Sequence, residues 1–130
     1  MAFLAGTPIP FTVIYHGSVD AVTTACTIGV FPFDAIIDSY LWSVDDANET
    51  YTTTPVTLQK YNATDGATTL DVFTTGTGGG THLYGLIANS DLTEDEVAQG
   101  DYCRFTCTDV ATGADGGFSV TFYLIPKALR

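Results

Sequence analysis

Phe118-Ser119-Val120-Thr121-Phe122-Tyr123-Leu124 decides the fold. Phe118, Val120, Phe122 and Leu124 fall on one parity, and Ser119, Thr121 and Tyr123 on the other. That is the two-residue period of a strand with one dry face. The same alternation sets Cys103, Phe105 and Cys107 against Tyr102, Arg104, Thr106 and Thr108. Further upstream, Val22, Cys26, Ile28 and Val30 oppose Ala21, Thr23, Ala25 and Thr27. Strands that are dry on one side and threonine-lined on the other are what two packed antiparallel sheets require.

Outward from these segments, β-favouring residues gather at 9–16, 21–30, 35–44, 55–61, 68–74, 83–88, 102–109 and 118–125, with Gly, Pro, Asn and Asp between them. The one helical signal starts at Ser90, a capping residue, followed by Asp91, Glu94, Asp95 and Glu96 in a first turn and closed by Gln99-Gly100. The reading is therefore an all-β fold: an antiparallel β-sandwich, jelly-roll-like, with about eight strands and one short helical turn. Residues 1–11 read as an N-terminal arm and 12–130 as the sandwich domain.

The strand at 35–44 is apolar on both parities, with Ile37 and Leu41 on one and Ile36, Tyr40, Trp42 and Val44 on the other. A strand wet on one face should not look like this, so its second face is expected to be covered by another subunit. The expected partner-binding residues are Phe3, Leu4, Ile9 and Phe11 in the arm, with Tyr40 and Trp42 on the exposed parity of the long strand.

A chain of 130 residues suffices for one domain with its own core. Four Lys and Arg against fifteen Asp and Glu give a net charge of −11, which argues against nucleic acid and against an anionic membrane surface as partners. Hydrophobic residues at 45% rule out a disordered acidic tail. No apolar run approaches the roughly 20 residues of a membrane-spanning helix. Met1 to Gly6 lacks the basic start of a secretory signal. Cys103 and Cys107, four residues apart on a strand, would lie about 13 Å apart, too far for a disulfide. With Cys26 they make an odd count, read as free thiols of a reducing cytoplasm.

No catalytic set emerges. His16 and His82 share no metal-ligand spacing and the cysteines form no C-x-x-C, so no metal site is expected. Cysteines alternating with Phe105 read as inert small hydrophobes. Gly76-Thr77-Gly78-Gly79-Gly80 lacks the Lys-Ser/Thr of a phosphate loop. The acidic groups at Asp45-Asp46-Glu49, Asp91 to Glu96 and Asp109 to Asp115 read as solvated loops, and none matches a calcium loop. A small hydrolase with paired carboxylates is a third reading, for which a chain this short leaves little room to wall a cleft. The tyrosines and Trp42 read as core and interface packing, with sugar stacking as the other use of such rings. Neither enzyme activity nor a cofactor is expected.

Val30-Phe31-Pro32-Phe33-Asp34-Ala35-Ile36-Ile37, Pro55-Val56-Thr57-Leu58-Gln59-Lys60-Tyr61-Asn62, Gln99-Gly100-Asp101 and the closing Gly117 to Leu124 strand follow one another in order. Taken together they resemble the small β-sandwich virion proteins of tailed bacteriophages, the capsid decoration (cement) type above all. The resemblance implies a non-enzymatic structural protein made in the host cytoplasm. It further implies a homotrimer on the capsid surface that clamps the major capsid protein. The alternative in the same group is a carbohydrate-binding tail or fibre adhesin module.

Overall fold

The computed structural model describes residues 7–15, 25–45, 55–74, 82–107 and 118–127. Within them the chain forms nine strands and one 3₁₀ turn. They are β1 (Ile9–Tyr15), β2 (Cys26–Val30), β3 (Ala35–Asp45), β4 (Pro55–Asn62), β5 (Gly66–Thr74), β6 (His82–Ala88), β7 (Glu96–Val97), β8 (Tyr102–Cys107) and β9 (Phe118–Pro126). The 3₁₀ turn spans Asn89–Asp91. The expected strands are all present over their described parts.

Two antiparallel sheets face each other. One runs β1-β9-β3-β6, with the short β7 also on β3; the other runs β2-β8-β4-β5. The chain switches sheets between β1, β2, β3 and β4 and again around β8, and most strands pair with distant ones, which is jelly-roll-like. The inward parities fill the interior with Val13, Phe31, Ile37, Tyr40, Trp42, Leu58, Leu70, Phe73, Phe105, Phe122 and Leu124. Cys103 and Phe105 are buried together, as the alternation predicts.

The doubly apolar β3 has an internal cause. Its pairing with β9 runs Ile37↔Leu124 and then Ser39↔Tyr123, so Asp38 is an extra residue. A bulge of this kind turns the later side chains to the other face. Ala35 and Ile37 point inward before it, and Tyr40 and Trp42 point inward after it. The expectation that Tyr40 and Trp42 stand on an exposed parity is therefore corrected. They are 0% and 6% exposed, and no second subunit is needed to cover them.

The end of the expected arm lies in the first sheet. β1 begins at Ile9 and pairs with β9 from Ile9↔Leu124 to Tyr15↔Phe118, so Ile9, Pro10 and Phe11 belong to the sheet. Phe3 and Leu4 lie outside the described residues. The expected short helical turn is the 3₁₀ turn, and two of the carboxylates that follow it, on Glu94 and Asp95, are used in loop bonds. Glu94 Oε1 accepts from the backbone N–H of Asp95 and Glu96 at 3.0 Å each, and Asp95 Oδ2 accepts from Asn89 Nδ2 at 2.9 Å. The segment after β6 then closes one end of the sandwich. Ile37 N donates to Asp95 O in one sheet, and Thr93 N to Leu70 O in the other, at 2.8 Å each.

Candidate interaction surfaces

The residues with chemical potential are mostly spoken for. Cys103 is buried, and burial pushes its thiol up to about 12, which keeps it protonated and unreactive near neutrality. Cys26 is half-buried. Among the described residues no group of three His, Cys, Asp or Glu is arranged to hold a metal ion. Asp101 bonds the Ala98 N–H and Asn62, and Asp34 bonds the Gln99 N–H, so these acids serve as loop braces. Lys127 pairs with Glu96 of its own chain at 3.2 Å, both groups well exposed. The glycine run 76–80, His16 and the acidic residues 46–49 and 109–115 lie outside the described residues.

Of the expected partner-binding residues, Phe11, Tyr40 and Trp42 come together in or against the core. Phe11 lies 5.6 Å from Phe31 and 6.4 Å from Phe122, ring to ring. Phe122 touches Tyr40 at 5.9 Å, and Trp42 stacks on Phe73 at 4.9 Å and 16°. The result is a chain of aromatic rings across both sheets, with Phe11 half-buried at its rim; Ile9 is half-buried on β1. Tyr40 Oη also donates to Asp71 Oδ2 at 2.6 Å. Burial is the main cause of its raised phenol value, helped by that bond and by the Asp71 and Asp91 charges.

The exposed apolar residues are others. On the outer face of the first sheet, Tyr84 and Leu86 of β6 are 72% and 67% exposed. They register against Ser43 and Leu41 of β3. Sequence reasoning missed them although β6 alternates visibly. The signal was there: Tyr84 and Leu86 share a parity around Gly85. Gly85 is required by close approach, since a Cβ there would strike Trp42 Nε1 and sit 2.7 Å from its Cε2.

The outer face of the second sheet holds a different group. Tyr61 and Tyr102 are register partners on β4 and β8, with rings 6.3 Å apart at 26°. The Arg104 guanidinium lies over Tyr61, 3.6 Å from its centroid, a cation–π contact. Val30, in register with Tyr102, extends this strip to the sheet edge.

No family model matches the chain, and no curated protein matches it in sequence. Among solved structures, a chain of "Capsid of Ralstonia phage GP4" is similar at a TM-score of 0.63 and 13% identity, over 99% of this chain and 90% of that one. That likeness shows a shared fold along nearly the whole length of both. A chain of "Bacillus endospore appendages form a novel family of disulfide-linked pili" reaches a TM-score of 0.42 at 18% identity, covering 98% and 97%. One of "Cyanophage Pam1 capsid asymmetric unit" reaches 0.43 at 19% identity, covering 97% and 91%. These two overlaps are too loose to argue from.

Proposed function

We propose that this chain is a structural virion protein. It is a decoration (cement) protein that binds the outer surface of a phage capsid, contacts the major capsid protein, associates with itself as a trimer and carries out no catalysis. One observation supports the reading above the rest: the chain shares its fold, end to end, with a chain of a phage capsid structure. The physical chemistry agrees with it. A net charge of −11 limits indiscriminate association of a high-copy protein with itself. Exposed apolar side chains such as Ile14 and Ile36 then offer area to bury on a partner. Such a protein acts by adding contacts across neighbouring shell subunits, and needs rigid surfaces rather than a pocket. Phe3 and Leu4, ahead of β1, remain in this proposal as contact residues.

The test is co-sedimentation with shells assembled from the major capsid protein of the same phage genome. Saturable binding and a higher disruption temperature of the shell are expected. Shells that neither bind the protein nor gain thermal stability contradict the proposal.

A second reading has its own observation. Tyr102, exposed beside Tyr61 and its covering Arg104 guanidinium, is a surface ring of the kind that stacks on sugars. An adhesin module of a tail or fibre would bind a glycan through it, and Tyr102→Ala would abolish that binding on a glycan array. An array without hits removes this reading.

A further inference from the structure

The four edges of the two sheets are not treated alike. Exposed edge strands invite pairing with another chain unless proline, charge or a bulge blunts them. β1 contains Pro10. β2 has an extra residue, Ile28, where its register with β8 shifts between Thr27 and Gly29. β5 has one too: Leu58 pairs with Asp71 and Gln59 with Thr69, leaving Leu70 over. β6 has no such device. Its sequence, His82-Leu83-Tyr84-Gly85-Leu86-Ile87-Ala88, contains no proline, lysine or carboxylate. Its register against β3 runs without a shift from Ala88 to His82. Among the described residues it has no strand on its other side. It also carries the two most exposed large hydrophobic side chains of the described residues, Tyr84 and Leu86.

We infer that β6 is a two-fold contact between copies of this chain, joining their β1-β9-β3-β6 sheets edge to edge through antiparallel β6 strands centred on Gly85. The sequence of the strand selects the occupant. An axis through Gly85 sets Tyr84 opposite Leu86 of the second copy, and Leu86 opposite its Tyr84. Each is an aromatic–aliphatic cross-strand pair on the outward face, where Tyr84 and Leu86 already stand. The strand is thus complementary to itself, as an isologous interface demands. Backbone pairing along β6 supplies the hydrogen bonds, and the two apolar pairs supply the burial. Two chains of net charge −11 repel each other, so added salt tightens the pair.

The contact holds or fails apart from the capsid reading. Three-fold association elsewhere would change the copy number from two to six and leave it even. The experiment is sedimentation equilibrium of the full chain across a concentration and salt series, with Leu86→Lys, Tyr84→Lys and, as control, Val72→Lys on the β5 edge. All three side chains are exposed, and matching far-ultraviolet circular dichroism confirms that each variant folds. An even copy number is expected for the wild type and for Val72→Lys, rising with salt, and half that number for a folded Leu86→Lys or Tyr84→Lys. An odd copy number in the wild type, a mass that neither β6 substitution halves, or a mass that Val72→Lys halves as well overturns the inference.

Discussion

Tyr40 in one sheet donates a 2.6 Å hydrogen bond to Asp71 in the other, between side chains that are 0% and 8% exposed at the residue level. The bond ties β3 to β5 across the core, where a carboxylate without a donor would be costly. Tyr40→Phe removes the donor and leaves the carboxylate in place, so it should destabilise the fold by about 1–3 kcal/mol. Asp71→Leu combined with Tyr40→Phe removes both polar groups at similar volume and should recover part of that loss. Urea unfolding of the three chains checks the ordering.

Alkaline pH should weaken the fold in two steps. Burial raises the Cys103 thiol to about 12, and raises the Tyr40 phenol with help from the Asp71 hydrogen bond and charge. Both groups hold their protons more tightly folded than unfolded. Their contribution is complete below the unfolded values, about 8.5 for Cys and about 10 for Tyr, and is lost as pH rises through each. Urea midpoints should fall above those points, and Cys103→Ala should flatten the first step and Tyr40→Phe the second. An unchanged alkaline limb in both variants would contradict the burial of these groups.

Gly85→Ala should cost about 1–3 kcal/mol, because the new methyl meets the Trp42 indole and forces it off Phe73. Trp42 is the only tryptophan, so its fluorescence reports the displacement directly. A variant with wild-type emission and stability would show that the indole does not pack over Gly85.

Trp42→Ala should cost about 3–5 kcal/mol, the range for emptying a large aromatic site in a core. The isolated chain should then unfold at a lower urea concentration. Preserved stability with lost assembly would instead mark Trp42 as an interface residue.

These core predictions turn on what was legible in the sequence. The alternation of Val120, Phe122 and Leu124 states which side of β9 is dry, and it holds. The break between the segments at 55–61 and 68–74 is a turn of the Asn- and Gly-bearing kind. Asn62 Oδ1 accepts from Thr64 N and Asp65 N at 3.0 and 2.7 Å, and Gly66 supplies a φ of 73°. β3 misled because a two-residue period assumes unbroken register. One extra residue, Asp38, reverses the parity and makes a one-faced strand look two-faced. The polar Asp38-Ser39 step between Ile37 and Tyr40 was the available sign. Interaction surfaces were less legible still. Exposure on an edge such as β6 depends on which strands become neighbours, and pairing between distant strands leaves no local mark.

The proposed role of this sandwich is a fastening on the outside of a phage shell. Cryo-electron microscopy of the particle that carries it tests this most directly. The account predicts density fitting the two-sheet sandwich repeated over the outer capsid surface, clustered about three-fold positions and touching the major capsid protein. Density for it confined to the tail or fibres, or absent from the particle, would contradict the account.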